Sequence, residues 1–213
     1  LEKLVGHKID KLAASGRTDT GVHARGQVIN FYTTGTIPIQ NIKLALNSLL
    51  PDDIVVLSAD EMPPEFSARH KKKKKKYSYY VKQGDNLDPF QRNYSWYIRK
   101  KLNVEAMQNA LKYIEGTHDF SSFRATGSSP LHHPIRTIFQ ASVEQINEND
   151  LKFTFWGNGF LYRMVRNIVG RVVNVGKGKI TPQKFKEILE CKNRQKAGIT
   201  APAQGLFLDE VFY

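Results

Sequence analysis

The sequence is short of cysteine, of acidic side chains and of long apolar runs, and each shortage narrows its chemistry. Its single cysteine, Cys191, cannot close an internal disulfide, and no Cys and His residues cluster at metal-ligand spacing. A reducing compartment, cytoplasmic localisation and a protein without metal are therefore expected. The apolar stretch at residues 168–175 is broken by Gly170, Arg171 and Asn174, far short of membrane-spanning length, so no bilayer crossing is expected. Acidic residues number 20 against 32 Lys and Arg, a formal charge of +12 that favours a polyanionic partner, nucleic acid first among them. At 213 residues with 40% hydrophobic content the chain can bury one large core or two modest ones. It opens on Leu1-Glu2-Lys3-Leu4-Val5, apolar at 1, 4 and 5 and without Met, which reads as a helix face already under way and implies a preceding segment.

Periodicity supplies the elements. Residues 27–33 alternate between Gly26 and Gly35 and read as a strand; 42–50 form a short amphipathic helix ending before Pro51; 54–59 read as a buried strand. Residues 62–76 hold Pro63-Pro64 and a run of lysines from Lys71 to Lys76, the composition of a connector. Beyond it, 77–82 and 94–98 read as aromatic-rich strands, 104–114 as a helix closed by Gly116, and 135–146 with 151–156 as a hairpin. A helix over 160–175, a second after Thr181-Pro182 and a final strand from Leu206 complete the chain. Hairpins mixed with helices, without strict βαβ alternation, predict an α+β fold with antiparallel sheets. The expected divisions are 1–65, a basic connector 66–76, and 77–213.

One loop concentrates chemistry. Residues 16–27, GRTDTGVHARGQ, place two arginines, a carboxylate, a histidine and three glycines ahead of a strand, where backbone freedom lets a polyanion approach closely. An ordinary turn with Asp19 capping its own backbone would account for the same residues.

The loop closely resembles the signature of the TruA family of pseudouridine synthases, in which the aspartate matching Asp19 is catalytic. The likeness continues in order along the chain: Phe66-Ser67-Ala68-Arg69 then Tyr77-Ser78-Tyr79, GTHDFSSFR at 116–124, Pro134 to Thr137, FLYRMVRNIVG at 160–170 and AQGLFL at 203–208. Two departures stand out. Position 20 is Thr where the family usually has Ala, and the lysine run replaces mixed residues. Family members also begin with a strand that this chain does not contain, which would leave one sheet edge open.

The resemblance implies two ferredoxin-like or RRM-like halves around a central basic cleft. It implies isomerisation of uridine to pseudouridine at positions 38, 39 and 40 of the transfer RNA anticodon arm, by a homodimer without cofactor or metal. Asp19 would attack C1′ or remove a proton from C2′, and the residues do not choose between these. The target base must be flipped into a pocket, and Tyr77 matches the family's stacking tyrosine. Arg166 matches the residue that pairs with the aspartate, Arg17 one that helps flip the base, and Leu206 an apolar residue of the uracil pocket. Arg25, Arg69, Lys74, Lys75 and Lys76 are the expected RNA contacts. Arg163, Arg166 and Asn167 are expected on one helix face. His23 is read as structural, the adjacent His132 and His133 as too few ligands for a metal, and Gly176 to Lys179 as a helix end. Two other classes remain open: a non-catalytic RNA-binding module, and a metal-dependent hydrolase using Asp19, for which no second carboxylate at matching spacing is present.

Overall fold

A computed structural model of the chain describes residues 1–9, 11–125 and 133–213. The described residues form a mixed α+β protein whose sheets are mainly antiparallel. They divide into two compact units, residues 1–16 with 28–71 and residues 17–27 with 72–213. The second division falls within the expected connector. The loop carrying Asp19, expected with the N-terminal half, instead packs with the C-terminal residues, because its exit strand hydrogen-bonds to the last strand of the chain.

The first unit holds α1 (Glu2–Val5), β1 (Leu12–Ala14), β3 (Ile29–Phe31) and α2 (Ile39–Asn47). β1 and β3 pair antiparallel, with Leu12 opposite Phe31 and Ala14 opposite Ile29. α2 buries Ile42 and Leu46 on one face, as the spacing predicts. The strand expected over 54–59 is not formed. Val56 donates its N–H to Asn47 Oδ1 (2.7 Å) and its carbonyl accepts from Asn47 Nδ2 (3.0 Å), so a side-chain amide occupies the groups a ladder would use. Ile54, Val55 and Leu57 are exposed rather than buried.

The second unit is built on a seven-stranded sheet. Its strands are β2 (His23–Ala24), β4 (Lys74–Gln83), β5 (Trp96–Ile98), β6 (Gly116–Asp119), β7 (Ile135–Gln145), β8 (Asp150–Gly157) and β9 (Leu206–Phe212). The order is β2-β9-β4-β8-β7-β6, with β5 beside the second half of β4; β2–β9 and β4–β5 are parallel and the rest antiparallel. β7 and β8 form the predicted hairpin. β4 begins three residues earlier than the aromatic pattern suggests and takes in half the lysine run. Pairing on both sides, with β8 from Lys75 and β9 from Lys74, overrides lysine's weak strand preference.

Three helices, α3 (Val104–Leu111), α4 (Met164–Gly176) and α5 (Pro182–Glu190), contribute to one core with the sheet. The core includes Tyr79, Met107, Phe153, Phe155, Ile168, Val172 and Phe185, each fully buried. Burying one such side chain contributes roughly 1.5–3 kcal/mol. Asn103 caps α3 by accepting from Ala106 N–H (2.9 Å), and Thr181 caps α5 by accepting from Lys184 N–H (3.1 Å), with Pro182 as its first residue. α4 starts four residues later than expected, because Arg163 adopts a left-handed conformation (φ +56°) and Phe160 to Tyr162 lie outside the helix.

Candidate active site

Asp19 is brought to the site by a tight turn and a short parallel strand pair. Val22 N–H bonds to Asp19 C=O (3.0 Å), with Gly21 between them at φ +82°, a conformation few other residues adopt without strain. The chain then runs into β2 alongside β9, His23 opposite Phe207 and Ala24 opposite Leu208. Arg25 and Gly26 both donate their backbone N–H to Leu208 C=O. Gly26 lies so close to β9 that a Cβ there would sit 2.4 Å from Asp209 O.

The Asp19 carboxylate does not turn back on its own loop. Oδ2 accepts from Arg166 Nη1 at 2.5 Å and lies 3.6 Å from Arg163 Nε. The Asp19 and Arg166 side chains are 17% and 12% exposed, whereas Arg163 is 42% exposed, so the closer pair is also the drier one. Arg166 is held in turn: its Nε donates to Ala201 C=O (2.8 Å), and Ala201 N–H donates to Arg166 C=O (3.1 Å). The segment 199–201 can approach α4 because residue 170 is Gly, where a Cβ would come within 2.3 Å of Ile199 O.

Asn167 departs from the expected shared face. It is fully buried, donates Nδ2 to Phe123 C=O (2.7 Å) and accepts at Oδ1 from Thr200 Oγ1 (2.6 Å) and Arg194 Nη2 (3.1 Å). It thereby pins the same segment whose Ala201 holds Arg166. Asn167, Thr200 and Arg194 were not singled out as site residues. The run MVRN at 164–167 was the available signal, but an amphipathic pattern does not distinguish a polar face from a polar group with buried partners.

Tyr77 lies in β4 with its ring edge-on to Phe160 (5.1 Å, 82°). Burial, reinforced by the negative charge of Asp19, pushes its phenol up to about 12. Tyr79, on the same face, donates its hydroxyl to Pro202 C=O (2.8 Å), and burial raises its pKa further. Leu206 sits opposite Tyr79 in β9 and is buried, on the Tyr77 side of the sheet.

The basic residues divide. Arg17 is exposed, and Arg69 is exposed in the first unit. Arg25 pairs with Asp209 (2.7 Å), reaches Tyr80 Oη (3.3 Å) and lies over the Phe207 ring, while half of its side chain stays in solvent. Asp209 also accepts a short hydrogen bond from Ser78 Oγ. Strand alternation puts Lys75 on the Tyr77 face and Lys74 and Lys76 on the other. There the two ammoniums lie over Trp156 at about 5 Å, and Lys74 also over Phe212 (4.5 Å).

His23 is occupied structurally, its Nε2 2.8 Å from Asn93 O and its ring stacked on Phe207. Of the adjacent histidines, His132 lies outside the described residues. Among the described residues no group of three or more His, Cys, Asp or Glu converges as a metal cage, and no helix is long and apolar enough to cross a membrane.

The comparison with known sequences decides what this geometry belongs to. A family model described as tRNA pseudouridine synthase matches residues 5–71 and 110–213. The chain belongs to the tRNA pseudouridine synthase family. The matched stretches include Arg17, Asp19, Arg163, Arg166 and Leu206; Tyr77 and the lysines of β4 fall between them. The chain is 46% identical over its full length to tRNA pseudouridine synthase A of Thermoanaerobacter sp. strain X514, covering 86% of that protein. It is 48% identical to the synthase of the same name from Moorella thermoacetica, again over its full length and 85% of the relative. With the Clostridium acetobutylicum protein it shares 46% over 211 residues.

Proposed function

We propose that this chain converts uridine to pseudouridine in transfer RNA and that Asp19 is the reacting carboxylate. The observation that carries the second part is the ion pair from Asp19 to Arg166, which keeps an anion in place in a mostly shielded site without occupying both of its oxygens. The reaction breaks the N1–C1′ bond, turns the uracil, joins C5 to C1′ and transfers the C5 proton, net, to N1. No electron is gained or lost. Asp19 acts either by attack at C1′ or by removing a C2′ proton, and Arg166 and Arg163 hold its carboxylate in place for either.

The neighbours take supporting roles. Tyr77, with its phenol pushed up to about 12, stays uncharged at neutral pH and offers a ring and a hydroxyl donor rather than a base. Stacking the flipped base on such a ring is worth about 1–3 kcal/mol. Leu206 supplies apolar packing to the uracil, and Arg17, exposed beside the turn, assists flipping. Arg25, Arg69, Lys74, Lys75 and Lys76 contact RNA phosphates, consistent with the excess of positive charge. The finer expectations belong to the same proposal: ferredoxin-like or RRM-like halves, a basic cleft, the anticodon arm as target, and a cytoplasmic homodimer.

The test is pseudouridine formation in unmodified transfer RNA, mapped by position, for the wild type and Asp19→Ala. Product in the anticodon arm that disappears in Asp19→Ala while RNA binding persists is the expected result. Binding without product from the wild type would instead identify an RNA-binding module, and activity abolished by chelator would point to a metal-dependent reaction.

A further inference from the structure

Lys75 is the anomaly of the second unit. It is 5% exposed, yet no hydrogen bond or ion pair joins its ammonium to any described residue. Its neighbours carry no compensating charge: Gly157 stands opposite on β8 and Val211 opposite on β9. The carboxylates nearby in sequence are engaged elsewhere or turned away. Asp209 is bound to Arg25 and Ser78, Glu210 stands opposite Lys76, and Asp19 is held by Arg166. The charge that does act on Lys75 is a like one, the ammonium of Lys72. Burial first, and Lys72 second, bring the Lys75 pKa down to about 8.

A buried, uncompensated ammonium costs stability, and a fold that keeps one has a use for it or a partner for it. The residue is not wholly sealed, keeping 5% of its surface in solvent. Lys75 is two residues from Tyr77 on the same face of β4, about 7 Å along the strand. That is within reach of the backbone of a nucleotide whose base lies on Tyr77. Lys74 and Lys76 face the other way.

We infer that Lys75 forms a dedicated subsite for one phosphodiester of the flipped nucleotide, distinct from the general basic surface. This rests on the proposed function and deepens it. In the free protein the site is a weakly basic amine; a bound phosphate restores its ordinary basicity, so RNA binding takes up one proton above pH 8. Lys74 and Lys76 contribute only salt-sensitive attraction and no such uptake.

The test measures affinity for unmodified transfer RNA between pH 7 and pH 9 in an Asp19→Asn background, so that no turnover intervenes. With a free pKa near 8, affinity should fall about tenfold across that range. Adding Lys75→Arg should remove most of that fall while keeping tight binding, since guanidinium stays charged throughout. Lys75→Met should bind more weakly at pH 7 and vary little, and Lys76→Met should keep the full dependence. An arginine variant as steep as its parent, or a methionine variant that binds equally well at pH 7, overturns the inference. Failure of the wild type to form pseudouridine would instead remove the functional reading beneath it.

Discussion

Replacing Arg166 with Met should cripple the enzyme more than it unfolds it. At 2.5 Å and an effective dielectric near 20, the attraction between Arg166 and Asp19 is roughly 6–7 kcal/mol before the cost of removing both groups from water. Breaking a buried pair from one side typically costs 3–5 kcal/mol, because the remaining charge is left without compensation. Arg163, 3.6 Å from the same oxygen and more exposed, offsets part of this, so about 3 kcal/mol is expected. Asp19 then loses its fixed direction, and a displacement of about 1 Å in a reacting group can reduce rate about a hundredfold. The assay is release of tritium from transfer RNA labelled at uracil C5, since the reaction removes that hydrogen, together with denaturant unfolding. The double variant Asp19→Ala, Arg166→Met should recover much of the lost stability and none of the activity. A single variant within about 1 kcal/mol of wild type in stability and within threefold in kcat would refute the argument.

Asn167→Leu should destabilise by about 3 kcal/mol in thermal or denaturant melts, because it removes the buried partner of Phe123 C=O together with one hydrogen bond each from Thr200 and Arg194. Gly26→Ala should lower both stability and kcat, since its Cβ would sit 2.4 Å from Asp209 O and must push β2 off β9; unchanged activity would show that the loop does not depend on that contact. Tyr77→Phe should retain RNA affinity within a few-fold. In the wild type, kcat should show no ionisation of Tyr77 below pH 10, given a phenol pushed up to about 12. Lys75→Met should raise the melting temperature at pH 7, because the native pKa near 8 lies below the ordinary lysine value of 10.5. The unfolded chain binds more protons than the native one in that interval, so wild-type stability from this group rises between pH 8 and 10.5 and the gap between the proteins closes there.

The long periodic elements of the second unit were legible because one principle governed each. α3, α5 and the β7–β8 hairpin combine an unbroken apolar pattern with a cap or turn signal, and local and tertiary preferences agree. Disagreement between levels explains the misses. Residues 54–59 have the composition of a strand, but Asn47 captures the backbone of Val56. Lys74 to Lys76 have the composition of a solvated linker, but two neighbouring strands supply partners for their backbone. The two-residue β2 is too short to leave a periodic trace, and it exists because Leu208 C=O accepts from the chain just beyond it.

Local patterns made the site legible as a list of residue types, and the pairing of Arg166 with Asp19 was expected only from the family resemblance. Asp19 and Arg166 are 147 residues apart, and no local pattern reports that they touch. What joins them is the C-terminal end of the chain. Ala201 holds Arg166, Pro202 receives Tyr79, Leu206 opens β9 on the Tyr77 face, Leu208 receives the backbone of the loop carrying Asp19, and Asp209 binds Arg25 of that loop. The carboxylate and its counter-ion are therefore referred to the same nine-residue stretch, Asp19 through the backbone and Arg25 of its loop and Arg166 through its own side chain. A local disturbance of β9 should move the loop of Asp19, whereas loosening segment 199–201 should move Arg166, and either alters the separation between them. This is why Asn167, which touches neither Asp19 nor Arg166 through its side chain, matters to the geometry between them.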